Sequence, residues 1–241
     1  MIGFFRKIRK KLADDNKPMK YMRYAVGEVL LVMVGILLAL QVNNWNEDRK
    51  ARKLEKSLLE NLAENLEQNC ERLQKRITYI SANRKYEKII LSALENKSYH
   101  DSLETIFPKV LINASNFYLS QVGYEAIKNK GFEIIHNETL RTEITGFYEE
   151  KRLIFNIELK RSDIDAAYRE KYIDEQFVQS ISTGGGFKPF NPEKLMEENY
   201  FYALISKKVN QSFFIGLIMD NHLKMSKTLL QNIKTELKKF K

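Results

Sequence analysis

The sequence predicts an all-α protein with one transmembrane helix and a larger helical region after it. Three observations favour this class. The nineteen residues from Tyr24 to Val42 are almost wholly apolar. Elsewhere, apolar residues recur at steps of three and four, which is the period of an α-helix. Glycine and proline are few, 10 and 4 among 241 residues, whereas an all-β fold needs many tight turns.

The first predicted element, residues 1–23, is a basic amphipathic segment. Eight Lys or Arg side chains and two Asp give it a net charge of +6, out of +9 for the whole chain. A basic tail can bind nucleic acid, but this one adjoins an apolar stretch, so we expect anionic lipid as its partner and no nucleic acid. A helix lying on the inner leaflet is favoured over a disordered tail. Its expected membrane-surface residues are Phe4, Phe5, Arg6, Lys7, Arg9, Lys10 and Lys11.

The second element, residues 24–44, is predicted to be the transmembrane helix. Nineteen residues at about 1.5 Å each span roughly 28 Å, close to the hydrocarbon thickness of about 30 Å. The alternative is a cleaved signal peptide, but no A-x-A site is present and polar helix-forming sequence continues past Trp45. The excess of Lys and Arg before the span predicts a cytoplasmic N terminus and an exported C-terminal region.

Glu28 is an acidic residue one turn inside this span. It shares a stripe with Gly35, Ala39 and Val42, at spacings of 7, 11 and 14 residues. Small residues four apart let a second helix approach closely, and a neighbouring helix can satisfy an embedded carboxylate. The stripe is therefore a candidate helix–helix interface. Two alternatives stay open: Glu28 snorkels toward the headgroups, or it conducts protons.

The third element, residues 45–241, is predicted to be an extracytoplasmic helical bundle that begins with a long helix. Its apolar seam could pack within the chain or against a second copy, and intrachain packing is favoured. Cys70 lies on the seam and is expected to be buried rather than reactive. The seam residues are Leu59, Leu62, Leu66, Cys70, Leu73, Ile77 and Ile80.

Several boundaries are predicted along this region. A second helical piece covers RKYEKIILSALENKSY, and a loop follows through Asp101 and Pro108. Ser115 or Asn116 is expected to cap one helix, Gly131 to end it and Asn137 to cap the next. That next helix is expected to continue through Leu140, Ile144, Phe147 or Tyr148, Leu153 and Ile154.

The C-terminal part of the chain is predicted to be a loop followed by one long helix. The stretch SISTGGGFKPFNPEKL is the clearest loop in the sequence, and the last helix is expected to run from about Pro192 to Lys239. The expected inner face of that helix is Leu204, Phe213, Leu217, Met225, Leu229, Ile233 and Leu237.

Two stretches, KYMRYAVGEVLLVMVGILLALQVNNWNEDRK and YEAIKNKGFEIIHNETLRTEITGFYEEK, resemble an uncharacterised family of small single-pass membrane proteins from Bacteroidota. The resemblance implies a bacterial inner membrane and a periplasmic helical domain. It implies no activity.

Motifs for chemistry are sparse in this sequence. His100, His136 and His222 lack metal-ligand spacing, and no cofactor is expected. The stretch STGGGFKP lacks the Gly-Lys-Ser/Thr ending of a phosphate-binding loop, and the acidic pairs at 149–150 and 197–198 are expected to be solvated. We therefore expect a non-enzymatic, membrane-anchored helical subunit that forms homo-oligomers or belongs to a membrane protein complex. The alternative is a periplasmic ligand-binding or hydrolytic domain whose site forms only on folding.

Overall fold

The computed structural model describes residues 7, 10, 18–112, 117–161, 166–180 and 186–240. These residues are almost wholly helical, which confirms the all-α prediction, and one long apolar helix lies near the N terminus. The helices are α1 (Pro18–Glu95), α2 (Leu103–Leu111), α3 (Val122–Lys130), α4 (Glu138–Thr145), α5 (Arg152–Arg161), α6 (Ala166–Gln176), α7 (Pro192–Glu197) and α8 (Asn199–Leu237). A 3₁₀ turn (Phe132–Ile134), a π turn (Gly146–Lys151) and strands β1 (Phe177–Ser180) and β2 (Gly186–Pro189) complete the description.

The chain divides into two compact units, residues 1–55 and 56–241. In the first unit, the described residues belong to helix, and the apolar side chains of α1 are exposed. Twelve of them, between Val26 and Val42, have 47–68% of their surface accessible. Such a row of large apolar side chains is unusual on a protein surface that faces water.

In the second unit, residues 56–95 of α1 pack against α8. Leu66 shares a hydrophobic cluster with Ile233, Leu73 shares one with Leu223, and Ile90 shares one with Ile205. The order along one helix is the reverse of the order along the other, so the two segments are antiparallel. The predicted seam is thus buried within the chain, with Leu59, Leu62, Leu66 and Leu73 at most 1% exposed.

The shorter helices contribute side chains to the same three hydrophobic clusters. Gly123 at the start of α3 lies so close to α1 that an added Cβ would be 2.8 Å from the Cα of Leu62. The predicted helix ends are confirmed at Gly131, which follows α3 with φ of 92°, and at Asn137, whose side chain accepts a hydrogen bond from the Leu140 N–H at 3.1 Å. The predicted caps Ser115 and Asn116 lie outside the described residues.

The loop predicted through Asp101 and Pro108 is wrong in its second half, because Leu103–Leu111 form α2 with Pro108 inside it. Five apolar side chains of this short helix are buried, and that burial outweighs the cost of proline in a helix. RKYEKIILSALENKSY is not a separate helix either, since α1 continues without interruption to Glu95.

The π turn changes which residues of α5 face the core. A π turn inserts one extra residue, so every side chain after it is rotated by about one helical position. Leu153 and Ile154, predicted to face inward, are 56% and 54% exposed, whereas Arg152 and Phe155 are buried.

The stretch predicted as a loop contains part of an antiparallel hairpin. Phe177 pairs with Pro189 and Gln179 with Phe187. The rings of Phe177 and Phe187 are buried and have their centroids 6.1 Å apart. Four-residue strands are too short to show a β period in the sequence.

The predicted last helix is two helices, α7 and α8, separated by Glu198 in an extended conformation. Its predicted inner face is only partly right. Leu229 and Ile233 are buried, whereas Phe213 and Leu217 are 43% and 52% exposed. The core instead receives Phe201, Ile205, Ser212, Met219, His222, Leu223 and Ser226.

Candidate functional site

The predicted interface stripe lies on the apolar part of α1. Glu28, Gly35, Ala39 and Val42 all fall within this helix, so their spacings of 7, 11 and 14 residues place them within about 60° of one another around its axis. Gly35, Ala39 and Val42 are exposed, and Glu28 is partly buried. The structure therefore brings the four residues onto one face of a continuous helix.

Gly35 forms a shallow depression in this stripe. A Cβ added there would meet no other atom within 4 Å. No part of the described chain covers the position, so a second helix has room to approach the backbone. The same openness means that a larger side chain at residue 35 causes no clash within the chain.

Of the predicted membrane-surface residues, the structure describes Lys7 and Lys10. Both are helical and exposed. The other five, Phe4, Phe5, Arg6, Arg9 and Lys11, lie outside the described residues.

His222 belongs to the core of the second unit. Its ring stacks between Phe155 and Phe147, with centroid distances of 4.2 and 5.1 Å. It is 1% exposed, and neither ring nitrogen has a hydrogen-bond partner among the described residues. Burial, with a smaller contribution from the nearby charge of Arg152, lowers the pKa of His222 to about 4. The ring is therefore neutral at physiological pH and acts as a packing residue.

Buried polar side chains fasten the segment before α3 to the core. Asn69 donates to the Ser120 carbonyl at 2.8 Å and accepts from the Ser120 N–H at 2.9 Å. Arg152 donates to the same carbonyl at 3.1 Å and also to that of Leu119. These bonds satisfy backbone carbonyl and N–H groups of a stretch without regular secondary structure, as buried peptide groups require. Cys70 is buried nearby, and desolvation raises the pKa of its thiol, which makes it a poor nucleophile.

Glu149 and Glu198, which belong to the two acidic pairs, each accept a hydrogen bond from a tyrosine hydroxyl. Tyr124 donates its hydroxyl to Glu149, which also pairs with Lys128 at 3.0 Å. Tyr172 donates to Glu198. Across the part of the chain that the structure describes, no group of three or more His, Cys, Asp or Glu side chains could hold a metal ion.

A polar site that was not predicted from the sequence surrounds Glu87. This carboxyl is 3% exposed and accepts a hydrogen bond from Ser212 of α8. Burial raises its pKa above the ordinary value. The spacing in the sequence indicates this burial, because Glu87 lies seven residues after Ile80 and three before Ile90 and so continues the apolar seam. An acid at a seam position is buried, and a buried acid requires partners.

Over the residues that the structure describes, these features define an all-α protein with one helix near the N terminus that is long and apolar enough to cross a membrane. The chain belongs to a family of unknown function, DUF6090, whose family model matches residues 28–182. No curated protein and no solved structure matches it. Membership confirms the expected uncharacterised family and assigns no activity.

Proposed function

We propose that the protein is a non-enzymatic, single-pass membrane subunit whose anchor associates with a second transmembrane helix. The observation that carries this proposal is the exposed apolar surface of α1. Twelve large apolar side chains between Val26 and Val42 are 47–68% exposed, and a lipid environment removes that surface from water.

The association part of the proposal rests on the stripe of Glu28, Gly35, Ala39 and Val42. Between helices in lipid, hydrophobic burial gives no net attraction, so close backbone contact and hydrogen bonding decide which faces meet. Gly35 and Ala39 provide a shallow surface for such contact. Glu28 has a polar interaction within its own chain, and a polar group of a partner helix would add a second one inside the span. The partner is a second copy of the chain or another subunit of a membrane complex.

The orientation part rests on charge. The +6 of residues 1–23 favours a cytoplasmic N terminus, and residues 45–241 are then extracytoplasmic, in the periplasm of a bacterium with this anchor in its inner membrane. Phe4, Phe5 and the basic residues between Arg6 and Lys11 would bind the anionic inner leaflet. The second unit would be a helical bundle that offers surfaces to other envelope proteins.

Reporter fusions test the orientation. A C-terminal alkaline phosphatase fusion should be active, and a C-terminal green fluorescent protein fusion exported by the Sec pathway should be dark. A variant with Arg6, Lys7, Arg9, Lys10 and Lys11 changed to Gln is the matched control, because it removes most of the charge asymmetry. A fluorescent and phosphatase-inactive C terminus in the parent chain would refute the proposed topology.

A further inference from the structure

A small cavity lies where α1, α2 and α8 meet, within the unit of residues 56–241. Its volume is about 80 Å³. One water needs about 10–15 Å³ of such space, so the cavity holds several waters or one small polyatomic ion. Its polar lining includes Arg76, Asn83 and Glu87 of α1, Lys109 of α2, and Lys208 and Ser212 of α8.

Two buried polar atoms of this site are left without a hydrogen bond. Glu87 uses one carboxyl oxygen to accept from Ser212, and its second oxygen has no partner among the described residues. The Nε atom of Arg76 is also buried and has no hydrogen-bond partner among the described residues. Buried donors and acceptors are nearly always paired in native proteins. Both atoms belong to side chains that line the cavity, where a bound molecule with oxygen atoms can give them partners.

The charge around the cavity is positive. Arg76 and Lys109 lie over the rings of Tyr79 and Tyr86, at 5.2 and 4.3 Å from the centroids. Within the described ranges neither forms an ion pair with a carboxylate. A side-chain hydrogen bond with Lys109, and then the charge of Lys109, lower the pKa of the Tyr86 hydroxyl.

Among the described residues that line the cavity, Glu87 is the one with a carboxyl group. Desolvation raises its pKa, while Ser212 and the charges of Lys208 and Arg84 oppose that shift. When protonated, a carboxyl becomes a hydrogen-bond donor. A protonated Glu87 would therefore attract an anion, whereas the ionised form would repel it.

We propose that this cavity binds a small oxyanion of the phosphate class, held by Arg76, Lys109 and Lys208 and by a hydrogen bond from Glu87. The volume admits a phosphate group but not a whole sugar phosphate or nucleotide. The phosphate is thus inorganic phosphate or the terminal phosphate of a larger molecule such as a lipid headgroup.

Calorimetric titration of the full-length protein in neutral detergent with inorganic phosphate tests the site. Saturable binding is expected, and Lys109→Gln and Arg76→Gln should each weaken it about tenfold or more, because each removes a charged donor. Lys109 is exposed, so its replacement should leave the fold intact. The matched control is Lys224→Gln, a cation of α8 that pairs with Asp220 and does not line the cavity. Absence of saturable binding by both phosphate and phosphatidic acid, or equal phosphate binding in all variants, would overturn the proposal.

Two further arms define the ligand source and the role of Glu87. Competition by nanodiscs that contain phosphatidic acid, but not by pure phosphatidylcholine nanodiscs, identifies a lipid phosphate; no competition identifies a soluble one. The titration is repeated with sulfate in place of phosphate, because sulfate keeps its charge between pH 5 and pH 8. A fall in sulfate affinity as the pH rises over that range is therefore caused by a protein group that loses a proton. Glu87→Gln keeps a donor and should abolish that fall. An equally steep fall in this variant would show that Glu87 does not donate to the anion.

Discussion

Replacement of His222 by phenylalanine should remove a pH-dependent loss of stability. In the folded protein the pKa of His222 is lowered to about 4, whereas an unfolded chain has a histidine pKa of about 6.5. Between these values the unfolded state binds the additional proton, so stability is full above pH 6.5 and falls as the pH decreases towards 4. Between pH 7.5 and pH 5 this difference corresponds to about 2 kcal/mol of unfolding free energy.

The replacement ring should fit the site. His222 already stacks between two phenylalanines, and its two unpaired nitrogens are a cost that Phe avoids. The larger ring adds some strain, so at pH 7.5 we expect a change within about 1–2 kcal/mol of the parent in either direction. The pH dependence is the sharper readout, because packing strain is the same at both pH values.

Urea unfolding of the full-length protein in detergent, followed by circular dichroism at pH 7.5 and pH 5, measures this difference. His100→Phe is the matched control, since His100 is exposed and hydrogen-bonds to Ser102 near the surface. The control should keep the stability loss of the parent. If His222→Phe loses as much stability between the two pH values as the control does, the burial argument is refuted.

Two further predictions concern close contacts in the second unit. Gly123→Ala should lower the free energy of unfolding by about 1–3 kcal/mol, because the new Cβ would lie 2.8 Å from the Cα of Leu62. Gly216→Ala on α8 is the control: its new Cβ has no other atom within 4 Å, so the substitution should be neutral or stabilising. Thermal unfolding of the pair decides this, and equal stability would contradict the close approach of α3 to α1. Asn69→Ala should lower the free energy of unfolding by about 1–3 kcal/mol, because it removes both hydrogen bonds to Ser120. Asn96→Ala is the comparison in urea titrations and should change stability little, because the exposed Asn96 side chain follows the end of α1 and bonds only to Ser92, one turn earlier.

Features that depend on local sequence were predictable. The seam of α1 could be read because its 3–4 spacing persists over many turns, and Gly131 and Asn137 have chemistry that is specific to helix ends. The apolar stretch and its stripe could be read for the same reason, since their geometry requires only that residues 24–44 form one helix.

Features that depend on tertiary packing were not predictable. The π turn shifts the buried face of α5 by one position, and no residue type in GFYEEK indicates such a shift. Pro108 disfavours a helix in its local sequence, but the burial of five apolar side chains stabilises α2. Glu87 could be recognised as a seam residue, whereas its cavity requires α2 and α8 to be placed beside it.

Association of the anchor helix decides whether Glu28, Gly35, Ala39 and Val42 form a helix–helix interface. Full-length variants in a membrane two-hybrid reporter should associate in the order parent, Glu28→Gln, Glu28→Leu, Gly35→Leu. Gln at position 28 keeps a hydrogen-bonding side chain, whereas Leu at position 28 removes it. Leu at position 35 adds a bulky side chain that separates the backbones of the two helices. Gly27→Leu is the matched control, because it lies about 100° away from Glu28 and, like Gly35, has open space around its Cβ. If self-association falls in this order while Gly27→Leu associates like the parent, the stripe is the interface of a homo-oligomer. Crosslinking of the same variants in native membranes tests whether the stripe instead contacts another subunit. If Glu28→Leu and Gly35→Leu associate like the parent in both assays, the stripe is not an interface.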